Sequence, residues 1–121
     1  MSLFSIIKSA LAPLVDKDNK PIPVRRLKLT SEDEEQNYDQ YIIVYFLNES
    51  GALFGDDEEV STVHSIQISL FTRLNFENTA KQIKSLLKPL GFRRTSEFES
   101  YEDQTGYYHK VIRFYYVENG E

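Results

Sequence analysis

Four consecutive acids, Asp56-Asp57-Glu58-Glu59, stand between the apolar pair Leu53-Phe54 and the run Val60-Ser61-Thr62-Val63. Carboxylates this dense can hold a hard cation, share acid–base work, or solvate the turn between two strands. A calcium loop needs oxygen ligands at alternate positions, glycine at the sixth and glutamate at the twelfth. The run has no such glycine, and neighbouring strand residues would send its side chains to opposite sides. "DKDNKP" opens with Asp16 and Asp18 but sets Lys20 at the fifth position, so it fails as well. The reading is a solvated tip of a long hairpin. Asp56, Asp57 and Glu59 are kept as the carboxylates that a rival reading, a metal-dependent phosphoesterase, would use.

His64 and His109 are the chain's two histidines, and histidine is the natural general base at neutral pH. Neither has a nucleophile in a known setting. The sequence holds no cysteine, no G-x-S-x-G elbow, no H-E-x-x-H, no Walker loop and no dinucleotide fingerprint. Five glycines leave little backbone to cradle a phosphate. The chain is therefore read as no enzyme, with no cofactor and no metal. Asn48-Glu49-Ser50 matches a glycosylation sequon, which has meaning only in a secreted protein. Arg93 and Arg94 follow Phe92, a basic and aromatic combination that nucleic acid favours. Glu97, Glu99, Glu102 and Asp103 come next and would repel phosphate as strongly, so no specific nucleic-acid binding is expected.

A chain of 121 residues with 40% hydrophobic and 27% charged residues has the make-up of one soluble globular domain over residues 1–121. Its aromatics are eight Tyr, eight Phe and no Trp, and tyrosine suits surfaces half-buried against a partner. With no cysteine there is neither a disulfide framework nor a thiolate metal site, which fits a reducing cytosol. "MSLFSIIKSALAPLV" is too short and too polar to span a bilayer, and it lacks a basic region ahead of its apolar stretch. It is read as part of the fold, and no membrane partner is expected. A net charge of −5 opposes non-specific binding to nucleic acid. The charge is also segregated: "SEDEEQ" and "GDDEE" are acidic, "RRLK", "KQIKSLLK" and "FRR" basic. That pattern is compatible with head-to-tail association of copies.

The elements follow from periodicity. Leu3, Ile7, Ala10 and Leu14 recur at helical spacing behind a capping Ser2, and Pro13 limits the helix. "VRRLKL" from Val24 predicts a first strand, with Leu27 and Leu29 opposite Arg26 and Lys28. "TSEDEEQN" reads as a polar connection. Tyr41 to Phe46 is β-branched and aromatic, the strongest strand signal in the chain. Ile66, Ile68 and Leu70 alternate with Ser65, Gln67 and Ser69, as in a half-buried antiparallel strand. Phe76, Ala80, Ile83, Leu87 and Leu90 form one helical stripe, with Asn75 as N-cap and Gly91 as the left-handed stop. Lys81, Lys84 and Lys88 fall on the other side of that helix. "FRRTSEFES" and "YYHKVIRFYYVE" predict a closing hairpin, with Tyr108, Ile112, Phe114 and Tyr116 on one face of its second strand and Tyr107, His109, Arg113 and Tyr115 on the other. The order is α-β-β-β-α-β-β. This is an α+β domain, an antiparallel sheet of about five strands with two helices packed on one face. Ile83 and Leu87 should meet Ile66, Ile68 and Phe114.

From residue 3 to about 118, this succession also resembles a known family. "YIIVYFLNESGALFGDDEEVSTVHSIQISLFTR", then "FENTAKQIKSLLKPLGFRRTS", then "YYHKVIRFYYV" is similar to the tail completion, or head-tail joining, proteins of long-tailed phages and prophages of Gram-positive bacteria. The resemblance implies a structural virion protein. It would cap the head-proximal end of the tail tube as a ring of six copies and meet the tail-tube and head-closure proteins of the neck. The protein would stand in the neck of the virion, and in the host cytoplasm during assembly. Genomic DNA would pass through the ring. Asp56, Asp57, Glu58 and Glu59, with Arg93 and Arg94, are then expected at contacts with neighbours. The rival from another class is a small acidic intracellular binding protein, of inhibitor or immunity type, in a one-to-one complex.

Overall fold

Where the sequence offers a cap and an apolar stripe, the first helix forms. Helix α1 spans Leu3–Ala10, and the Ser2 hydroxyl accepts a hydrogen bond from the Ser5 N–H at 3.1 Å. The chain leaves helical geometry ahead of Pro13, but Leu11 and Leu14 stay buried beside Ile7. The computed structural model describes residues 2–55 and 58–119, with the backbone alone described for 50–55, 58–60 and 119. The elements after α1 are β1 (Val24–Arg26), α2 (Ser31–Gln36), β2 (Gln40–Gly55), β3 (Glu58–Thr72), α3 (Glu77–Leu87), β4 (Arg93–Glu102) and β5 (Tyr107–Asn119). A 3-10 turn, Lys88–Leu90, continues α3.

The five strands make one sheet in the order β1-β2-β3-β5-β4. The pairs β2–β3, β3–β5 and β5–β4 are antiparallel, while β1 lies parallel to β2. The α+β class and the five strands are as expected. The sheet is mixed rather than antiparallel, however, and three α-helices replace two, giving α-β-α-β-β-α-β-β. Both differences have one origin. A parallel pair needs a crossover connection, and α2 is built into it. Its six residues carry no apolar stripe, so periodicity passes over them. A capping box starts it instead: the Thr30 hydroxyl accepts from the Asp33 N–H at 3.1 Å, and the Asp33 carboxylate accepts from the Thr30 N–H at 3.0 Å. Strand β1 is also shorter than expected. Leu27 turns to φ 71°, so the alternation drawn through Leu29 stops at Arg26.

One layer of helix covers one face of the sheet. Ile7 and Leu11 at α1, and Ala80, Ile83 and Leu87 of α3, share a core with Ile42, Val44, Ile66, Ile68, Leu70, Ile112 and Phe114. Ile66, Ile68 and Leu70 are fully buried, as their alternation required. Asn75 does not occupy the cap position of α3, which falls to Phe76, but its side-chain oxygen still accepts from the Glu77 N–H at 2.8 Å. Leu90 leaves the stripe and is largely exposed, because the 3-10 turn advances at three residues per turn.

Gly91 closes this segment at φ 98°. A Cβ there would sit 3.6 Å from the Tyr116 ring, an ordinary contact, so Gly91→Ala should cost only the left-handed conformation, about 1–2 kcal/mol. Denaturant titration of the two chains measures it. An unchanged midpoint would mean that the turn does not need a left-handed residue.

The other face is flanked by α2, whose Asp33 holds Arg25 and beyond which the Tyr38 carbonyl accepts from the Tyr107 hydroxyl, and aromatic rings cover more of it. Tyr41, Phe71 and His109 stack across β2, β3 and β5, with ring centroids 4.8 Å and 4.2 Å apart in turn. Tyr107 stands edge-on to Tyr41 at 5.4 Å, and the Arg73 guanidinium lies 4.3 Å over the Tyr107 ring. Ile43, Ser69 and Val111, each two residues along its strand from one of these rings and on the same face, are buried. Tyr41 and Tyr107 are thus used within the chain as lateral packing on this face, while Tyr101, Tyr108 and Tyr115 are exposed.

Candidate interaction surfaces

Strands β2 and β3 are 16 and 15 residues long, where strands usually run to about 5–6 residues. Their neighbours stop early. β1 pairs with β2 only as far as Val44, and β5 pairs with β3 only from Thr72 to Ser61. Among the described residues, the β2 edge past Val44 pairs with no strand but β3, and beyond Leu53↔Ser61 the two strands pair only with each other, at Phe54↔Glu59 and Gly55↔Glu58. They form an arm. Register shifts near Phe46, Gly51 and Leu53 interrupt its ladder, as β-bulges do when they raise local twist.

Glu58 and Glu59 open β3, opposite Gly55 and Phe54, and so belong to a strand and not to the loop expected. Asp56 and Asp57 lie outside the described residues. Among the described residues, no group of three or more His, Asp or Glu is placed to hold a metal ion. Millimolar calcium, magnesium or manganese is expected to leave the melting temperature unchanged. A true site, at a hundred times its dissociation constant, would stabilise by about 2.7 kcal/mol. A rise in melting temperature that Asp57→Ala abolishes would overturn that expectation.

Arg93 and Arg94 begin β4, at the other side of the sheet from the arm's β2, opposite Tyr115 and Phe114. Both are exposed. A bulge at Thr95 has a consequence for Arg94. Residues three apart on a strand normally face opposite sides, but the extra residue places Arg94 and Glu97 together on the helix-bearing face, opposite Phe114 and Ile112. Glu97 then gathers three cations: Arg94, Lys84 of α3 at 3.2 Å and Lys110 of β5 at 3.1 Å. Read along the chain, Glu97 looked like a charge opposing Arg93 and Arg94. In the fold it ties helix to sheet.

Burial alone would raise the Glu97 pKa, but the hydrogen bonds from Arg94, Lys110 and Lys84 outweigh it and hold the group down to about 2. A depressed carboxylate stabilises the fold above its unfolded value, 4.5, and loses that contribution as pH falls toward 2. The melting-temperature advantage of the wild-type chain over Glu97→Gln should therefore be full at pH 6 and vanish near pH 2. An advantage that stays constant over that range would show that the cluster contributes nothing through charge.

Lys84, Lys88, Phe92, Arg93, Arg94 and Tyr115 line a groove of about 530 Å³ between the end of α3 and the start of β4, floored by Phe114. Phe92 forms one wall, stacked on Tyr116 at 4.6 Å. Four of its residues are basic and none is acidic. Lys84 and Arg94 are committed to Glu97, whereas Lys88 and Arg93 have no ion-pair partner among the described residues.

Two further clusters were not anticipated. Asp33 is buried and accepts from Arg25 through both oxygens, at 2.9 and 3.0 Å, and from the Tyr38 hydroxyl at 3.0 Å. The Arg25 guanidinium, with the Thr30 N–H, holds its carboxyl well below the usual range. This network pins α2 to β1. The spacing Thr30-x-x-Asp33 was its one legible signal. His64 lies between Glu118, 3.0 Å from Nε2, and Glu49, 3.5 Å from Nδ1, so it links β2, β3 and β5 at the base of the arm. His109 is stacked on Phe71 with Nε2 buried and unpartnered, and burial lowers its pKa.

No protein-family model matches this chain, and no curated protein matches it. Among the described residues, no helix is long and apolar enough to cross a membrane.

Proposed function

We propose that this chain is a structural virion protein. It completes the head-proximal end of the tail of a long-tailed phage or prophage and joins it to the neck, working as a ring of copies. The observation that carries the reading is the long β2–β3 hairpin, in which β2 runs past β1 from Tyr45 to Gly55 and β3 begins with Glu58 and Glu59 of the acidic run. A ring subunit needs an element long enough to reach its neighbour, and β2 runs on from Tyr45 to Gly55 past its last pair with β1. The compact two-layer body supplies the rigid support, and the segregated charges supply an orientation for docking. The partners are further copies of this chain, the tail tube and the head-closure proteins. The acidic surface would let genomic DNA pass without adhering.

Purified particles of the phage that encodes the chain test this reading. Gold-labelled antibody against the protein should mark the junction of head and tail. Particles that are complete and infectious but devoid of the chain would overturn it. A stable one-to-one complex with a host protein would assign it instead to the acidic binding proteins.

A further inference from the structure

We infer that the groove between the end of α3 and the start of β4 receives the acidic arm of the next copy of this chain. The inference rests on the ring reading above and names the contact that closes it. Charge carries it first. The groove presents Lys84, Lys88, Arg93 and Arg94 with no acid in its lining, and the sequence that joins β2 to β3 and opens β3 reads Asp56-Asp57-Glu58-Glu59. Shape and polarity agree, because Phe92, Phe114 and Tyr115 give the groove an aromatic lining and the arm's sequence carries Leu53-Phe54 just ahead of its acids.

The arm cannot serve its own groove. Tyr115, at the groove, is level with Ser65 of β3, and the arm's last pair is Gly55↔Glu58. Seven residues of extended strand separate the two levels, roughly 20 Å at the usual rise. The arm therefore meets such a groove only on another copy. Repetition of this heterologous contact generates a ring when the rotation closes. Nucleic acid is the competing occupant of a basic and aromatic groove. The chain's net charge of −5, and Glu97 beside Lys84 and Arg94, weaken that choice and leave a short acidic peptide as the better match.

Disulfide trapping tests the contact cleanly, because the chain has no cysteine of its own. One full-length chain carries Asp57→Cys and a second carries Arg93→Cys. Mixed at high concentration and low salt under mild oxidation, they should give a dimer joining the two variants. A chain carrying both substitutions should give a ladder of larger species. Adding Lys88→Glu to the Arg93→Cys chain should sharply reduce trapping. Reversing Asp56, Glu58 and Glu59 to Lys on the partner should restore it. Trapping indifferent to these charges, or no trapping at all, overturns the inference. Binding of a labelled single-stranded oligonucleotide that Lys88→Glu with Arg93→Glu abolishes, without trapping between copies, overturns it in favour of nucleic acid. Head-tail joining that survives Lys88→Glu with Arg93→Glu removes the groove and leaves the virion reading standing. Trapping without any presence in particles does the reverse.

Discussion

Replacing Leu87 by alanine is expected to cost about 2–5 kcal/mol, the usual range for a buried leucine that leaves a cavity. Leu87 is fully buried, and it belongs to the cluster in which α3 meets Ile66, Ile68 and Phe114. Strands on the far side of the site cannot move in to fill the space, because the ring ladder of Tyr41, Phe71 and His109 holds them from the other face. The domain's total stability is on the order of 5–15 kcal/mol, so the loss would show plainly in a denaturant titration. Lys81→Ala, on the exposed side of the same helix, should change stability by less than about 0.5 kcal/mol. Lys84 does not serve as that control, despite its place beside Lys81 in the sequence pattern, since it holds Glu97. Equal losses at Leu87 and Lys81 would mean that α3 presents another face to the sheet.

Reversing all four acids of the arm to lysine separates fold from function. The two strands that carry the run are held by ladder hydrogen bonds and by the body at their base, and exposed charges contribute little to stability. The variant should therefore unfold close to the wild-type midpoint. Joining of heads to tails should be lost, because the arm would then meet the next copy's basic groove with like charge. A folded variant that joins heads to tails as the wild-type does would take the arm out of the mechanism. A variant that fails to fold would give the acids a structural part that surface charges do not ordinarily have.

The sequence revealed what depends on one face of one element. Ile66, Ile68 and Leu70 declare β3 by alternation, and Ala80, Ile83 and Leu87 declare α3 by a helical stripe. All six are buried as their spacing requires. What depends on a second element stayed hidden. β1 pairs parallel to β2 through a crossover that no local pattern encodes. α2 is polar on every side and stands on a capping box and on Arg25, eight residues before Asp33. The arm was legible as a hairpin but not in its length, because glycines at 51 and 55 read as a loop while the backbone keeps pairing through both. Among the site residues, Arg93 and Arg94 were legible as a basic step. Their different fates were not. A bulge at Thr95 turns Arg94 to Glu97 and leaves Arg93 without an ion-pair partner among the described residues, and bulges have no fixed residue signature.

The central claim is that this chain joins tails to heads, and a depletion and add-back experiment tests it most directly. The phage or prophage is induced with the chain's gene interrupted, and the lysate is examined by electron microscopy. Filled heads and complete tails should accumulate side by side, and adding the purified chain to the lysate should convert them to infectious particles. Joined, infectious particles formed in its absence would contradict the account.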